Sequence, residues 1–162
     1  MNIRTQFEND GFYVIPDFFN RKDGHLLQTQ AQNIVLNSKS HSFFSAQNRP
    51  QDKDPEFLKS ANGIHVFWEE NADPKMGLAG VNKIAHALHR QDFVFKQFSH
   101  QPKIMDLLDE IGYSKPISIQ SMYIPKPAVF GGAVGHHQDS SFIQSKPKPC
   151  IGLWFALENA NK

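Results

Sequence analysis

A single thiol, Cys150, is all the cysteine this chain has, so it can build neither an internal disulfide framework nor a cysteine-rich zinc site. Charge of one sign is lacking too. The net charge is +1 with neutral histidines, which leaves no basic footprint for nucleic acid or an anionic membrane surface. No long apolar run occurs: the opening stretch, Met1 to Asp10, has none of the hydrophobic core of a signal peptide, and nothing reads as a membrane span. Internal repeats and low-complexity tracts are also missing. These absences leave a globular protein of a reducing compartment, with the cytoplasm as the expected location. At 162 residues the chain has the length of one domain, residues 1–162, built around one core.

What is abundant is phenylalanine, with fourteen residues, and histidine, with eight. The phenylalanines imply a packed interior. Six of the histidines lie before residue 101 and share no metal-ligand spacing. The informative pair comes later, in Gly131-Gly132-Ala133-Val134-Gly135-His136-His137-Gln138-Asp139-Ser140-Ser141-Phe142. In an extended backbone His137 and Asp139 project to one side, and His136 to the other. One imidazole and one carboxylate are two of the three ligands in the facial triad of non-haem iron oxygenases, and nitrogen plus oxygen ligation suits iron(II), manganese or zinc better than calcium. Spacing alone is weak, since His-X-Asp arises often by chance. The preceding glycines, which let backbone come close to something, and apolar flanks that read as strands strengthen it.

Along the chain, residues 3–10 read as a short helix ended by Gly11, and Phe12 to Ile15 as a strand closed by Pro16. Asn20 is the expected N-cap of a helix reaching Asn37, with Leu27, Ala31, Ile34 and Val35 on one face. Residues 39–61 read as a long polar loop interrupted by Pro50 and Pro55, the kind of segment that serves as a lid. Residues 64–68 read as a strand followed by a turn at 71–75, and 81–89 as a helix decorated by Lys83, His86 and His89. Asp92 caps the next helix, Pro102 opens another, and Gly112 ends it. Alternation then predicts a strand over 117–124, and an apolar run a last strand over 151–157, buried on both faces. The fold class is therefore α+β, with N-terminal helices on five or six strands of an antiparallel sheet or part of a jelly roll, fewer than the roughly eight of a complete one.

Five blocks in order carry a family likeness: residues 10–15, residues 82–89, Gln120-Ser121-Met122-Tyr123-Ile124, Phe130-Gly131-Gly132 with His137-Gln138-Asp139, and Gly152-Leu153-Trp154. With these the chain resembles the phytanoyl-CoA dioxygenase family of iron(II) and 2-oxoglutarate dependent oxygenases, and within it the phytanoyl-CoA dioxygenase domain-containing group. The resemblance implies a double-stranded β-helix (a cupin-like jelly roll), iron(II) as metal, 2-oxoglutarate and O2 as co-substrates, and hydroxylation of a small or lipid-like molecule. It implies that His137 and Asp139 are iron ligands, and that Lys83, Met122, Gln138 and Trp154 line the 2-oxoglutarate site. Read without it, Lys83 is a solvated helix lysine and Met122 and Trp154 are core residues. Retention of an aspartate favours hydroxylation over halogenation, because related halogenases free that position for chloride.

The family pattern is not complete. A distal histidine and a co-substrate arginine are expected, yet no histidine follows His137 and no arginine follows Arg90. The expectation is an N-terminal portion of a dioxygenase, truncated at its C-terminus, inactive alone, and prone to self-association through the unpaired strand at 151–157. The alternative expectation is a non-catalytic interaction module or a split subunit on a degenerate oxygenase scaffold. A third, a zinc-binding cupin-like protein, requires His65, His86 or His89 as third ligand.

Overall fold

A computed structural model describes residues 2–40, 42–44, 54–127, 131, 134–141, 143, 144, 146 and 150–159. Two N-terminal helices form where capping predicts them. In α1 (Ile3–Asp10) the Asn2 side chain accepts from the Arg4 N–H, and Gly11 closes the helix in the left-handed conformation, φ 77°. In α2 (Arg21–Asn37) Asn20 accepts from the Asp23 N–H, and Leu27, Ala31 and Val35 bury one stripe. The chain between them departs from expectation: Phe12 to Ile15 is outside the sheet, with Phe12 65% and Val14 71% exposed. A short apolar run becomes a strand only where a neighbour offers a ladder, and none of the named strands pairs with it.

The sheet has four strands among the described residues, in spatial order β1 (Ser42–Phe44), β2 (Ile64–Glu69), β3 (Val81–His86) and β4 (Ser121–Tyr123). The first pair is parallel and the other two antiparallel. One face carries Val66, Trp68 and Ile84 and packs with α2, α5 (Phe93–Ser99) and α6 (Pro102–Glu110) into the main core. Side chains of this size contribute about 1.5–3 kcal/mol each when fully buried, which outweighs the modest propensities of short strands. The Gln30 amide donates to Asp92 Oδ2 at 2.6 Å, tying α2 to α5 beside the helix cap that Asp92 makes for Phe95.

Four expectations need correction. The helix over 81–89 is instead β3 followed by α4 (Leu88–Gln91), because residues 81–86 pair on both edges and sheet hydrogen bonding overrides the helical spacing of Ile84 and Leu88. The loop over 39–61 contains β1 and α3 (Pro55–Ser60). Pro55 opens α3, where its missing N–H costs nothing, under an Asp54 cap. Residues 41 and 45–53 of that stretch lie outside the described residues. The strand over 117–124 shrinks to β4, with Ile117 86% exposed. Residues 151–157 form no strand. Phe155 instead packs edge-on against Phe98 at 5.0 Å and reaches Phe18 and Phe19, while Trp154 is 85% exposed. Side-chain contacts with the helices, not a backbone ladder, hold this segment. Gly24 makes room for it: a Cβ there would meet the Leu157 carbonyl at 3.4 Å and the Phe19 ring at 3.3 Å.

Candidate active site

The sheet face away from α2, α5 and α6 gathers Lys83 and Met122. Lys83 pairs with Phe67 across one edge of β3, and Ala85 pairs with Met122 across the other, so period-two alternation sets all four side chains on one face. Lys83 is thus no solvated helix lysine. It is 8% exposed, with Nζ 3.3 Å from the ring centroid of Phe44, 5.1 Å from that of Phe57 and 5.8 Å from that of Phe67. Among the described residues no carboxylate forms an ion pair with it. Burial pushes the amine down to about 8, because the charged form loses hydration that the rings only partly replace. An unpaired cation in an aromatic box is poised to receive an anion. Met122 is 40% exposed beside it.

His86 lies under the same rings, in edge contact with Phe57 at 5.0 Å. Its Nδ1 sits 2.7 Å from the fully buried Ser60 hydroxyl, which itself donates to the Phe57 carbonyl at 2.5 Å. The hydroxyl oxygen therefore accepts from Nδ1–H, and the lone pair is on Nε2. Desolvation, then the Lys83 and His65 charges, push His86 down to about 4 despite an opposing hydrogen bond. The folded state thus holds the ring neutral, while the unfolded ring takes up a proton below its ordinary value of 6.5. Stability from this site is complete above pH 6.5 and is lost as pH falls toward 4. Denaturant melts should therefore show His86→Phe losing less stability than the parent on acidification, by about 2 kcal/mol at around pH 4.5.

His89 is different in kind. Its backbone N–H donates to Ser121 Oγ and its Nδ1 meets the same hydroxyl, both at 2.8 Å, and burial holds its pKa down. It is a satisfied structural histidine that fastens α4 to β4.

His137 and Asp139 come together, but not on a strand. Residues 134–138 have no regular structure and Asp139–Ser141 is a single 3-10 turn, so the flanking strands expected from sequence are absent among the described residues. What orders the pair is local hydrogen bonding. His137 Nδ1 donates to the Gly135 carbonyl at 2.8 Å, and the Asp139 carbonyl accepts from Ile143 N–H at 2.7 Å. With Nδ1 donating to that carbonyl, Nε2 stands 3.4 Å from Asp139 Oδ1. An imidazole nitrogen and a carboxylate oxygen that converge in this way suit a cation. This nitrogen and oxygen pair fits two positions of an iron(II) site, with the second ring nitrogen fixed by a carbonyl as metal-bound histidines require. Both side chains are about half exposed. A Cβ at Gly152 would lie 3.9 Å from Asp139 Oδ2, so the segment carrying Trp154 runs beside the carboxylate.

Gln138 and Trp154 are exposed, and no hydrogen bond or ion pair joins either to Lys83 among the described residues. Nor do His65, His86 and His89 join His137 and Asp139, since no group of three metal-ligating side chains occurs among the described residues. Sequence reasoning missed the Ser60–His86 pair and the Phe44–Phe57–Phe67 box. No signal in the sequence around Lys83 could have found them, because residues 81–86 are buried almost throughout and show no strand alternation.

A family model for phytanoyl-CoA dioxygenase matches residues 7–162. The chain belongs to the phytanoyl-CoA dioxygenase family. That family is a class of iron(II) and 2-oxoglutarate dependent oxygenases. The chain is 35% identical over 164 residues to a phytanoyl-CoA dioxygenase of Arabidopsis thaliana, covering 95% of this chain and 57% of that protein. It is 34% identical over 170 residues to the mouse phytanoyl-CoA dioxygenase domain-containing protein 1, covering 96% and 58% respectively. The Caenorhabditis elegans homologue of the latter is 36% identical over 172 residues, covering 99% and 60%. This chain spans about three-fifths of the length of these curated relatives. No helix among the described residues is long and apolar enough to cross a membrane.

Proposed function

We propose that this chain supplies the His-X-Asp ligand pair and one side of the co-substrate site of a 2-oxoglutarate dependent hydroxylase. The observation that carries the reading is the approach of His137 Nε2 to Asp139 Oδ1 at 3.4 Å, with Nδ1 tied to a carbonyl. When bound, iron(II) with 2-oxoglutarate and O2 supplies the oxidising power that turns an unreactive C–H bond into an alcohol, releasing succinate and carbon dioxide. The residues do the rest. His137 and Asp139 hold the metal through nitrogen and oxygen, and Lys83 anchors a carboxylate of the co-substrate. Phe44, Phe57 and Phe67 keep water from that ion pair, which strengthens it. Met122, Gln138 and Trp154 complete the walls.

The four-stranded sheet belongs, in this reading, to a double-stranded β-helix that acts on a small or lipid-like substrate in a reducing compartment such as the cytoplasm. Manganese(II), a redox-inert stand-in, tests the reading by its free-ion resonance signal. Addition of 2-oxoglutarate is expected to tighten metal binding by at least about tenfold, because both would occupy one site. Metal affinity indifferent to 2-oxoglutarate would instead favour a non-catalytic interaction module on the same fold.

A further inference from the structure

Lys83 and His86 are each more than nine-tenths buried, and each lacks a polar partner for one nitrogen. The Lys83 amine meets only the rings of Phe44, Phe57 and Phe67. In His86 the Ser60 hydroxyl engages Nδ1 alone, and among the described residues nothing donates to Nε2. A buried acceptor with no donor has given up water for nothing, which is uncommon in folded proteins unless the atom serves a ligand. Here such an acceptor belongs to a ring whose centroid lies 5.0 Å from that of Phe57 and 6.2 Å from that of Phe67, the same two rings that flank the Lys83 amine. One group offers N–H donors and positive charge, the other a lone pair.

We propose that Lys83 and His86 Nε2 together form a receptor for a small carboxylate that also carries a hydroxyl. The carboxylate would sit on the Lys83 amine and the hydroxyl would donate to Nε2. A plain carboxylate satisfies the first group only. The proposal rests on reading Lys83 as a carboxylate anchor and adds to it a group that favours a hydroxy acid competing with the co-substrate there. Entry requires the rings of Phe44 and Phe57 to swing aside, and they come from a three-residue strand and a six-residue helix. A groove of about 580 Å3 lined by Ser42, Glu56, Ile64 and His65 opens beside them. Ser60, by holding Nδ1–H, fixes the tautomer that gives Nε2 its lone pair.

Malate and succinate differ by one hydroxyl, so calorimetric titration of the metal-free full chain with each acid separates the two groups. Malate is expected to bind about tenfold more tightly, the worth of one hydrogen bond to a buried acceptor. His86→Phe, which keeps a ring in the box, should bring the two acids to parity and leave succinate affinity unchanged. Nitrogen NMR of isotope-labelled histidine in the parent protein gives a second readout free of any folding defect in the variant. The Nε2 resonance of His86 should move with malate and stay with succinate. Equal affinities, or an Nε2 resonance unmoved by malate, would overturn the role of His86 while leaving the Lys83 anchor in place. Binding of neither acid would overturn both.

Discussion

Lys83→Met is expected to fold more stably than the parent by about 2 kcal/mol at neutral pH and to lose 2-oxoglutarate binding altogether. The first half follows from the lowered pKa. Burial takes the amine from 10.5 to about 8, so the folded state resists the charge that the unfolded state carries freely. Below pH 8 both states hold the proton and the cost is fully present. As pH rises from 8 to 10.5 the folded amine is neutral first and the cost disappears. Methionine fills the same aromatic box without a charge to desolvate. The stabilised variant should therefore also lose the parent's gain in stability between pH 8 and 10.5. Chemical denaturation at neutral and alkaline pH measures the first effect, and calorimetry with 2-oxoglutarate the second. A variant that is less stable than the parent would mean that the rings repay the desolvation in full, and that the lysine is there for the fold.

His137→Ala and Asp139→Ala should each weaken metal binding by more than about 100-fold, since loss of a ligand exceeds the 10–100-fold cost of losing the groups that merely orient one. Stability should change little, because both side chains are about half exposed and are held by local backbone contacts. That contrast separates a site built for a ligand from one built for the core. Replacing Lys83 changes stability as well as co-substrate binding, whereas replacing His137 changes ligand binding and leaves stability nearly unchanged.

How much of this was legible in the sequence depended on whether the cause of each feature was local. Asn2, Asn20, Asp54 and Asp92 all cap helices through their own side chains, and three of those helix starts could be read from composition and spacing. Asp54 was missed because Pro55 was read as an interruption when it is a first-turn residue. Non-local causes were hidden. Residues 81–86 are a strand because β2 and β4 lie on either side, and nothing within those six residues announces that. Residue spacing alone consequently puts Lys83 on a solvated helix face, and its expected place in the co-substrate site comes from the family likeness alone. His137 and Asp139 do lie close together, but not for the reason that strand spacing gives. A carbonyl bond and a tight turn, rather than strand alternation, bring them to 3.4 Å. The segment at 151–157 shows the opposite failure, an apolar run taken for a buried strand when alternate residues dock on helices and Trp154 faces out.

The central claim is that His137 and Asp139 hold a metal on which 2-oxoglutarate assembles. Anaerobic titration of the full chain with iron(II) and 2-oxoglutarate, followed by visible absorption, tests it most directly. A charge-transfer band of the chelated co-substrate that saturates in the parent and is absent in His137→Ala is the predicted result. A band of equal strength in His137→Ala, or none in the parent at saturating iron(II), would contradict it.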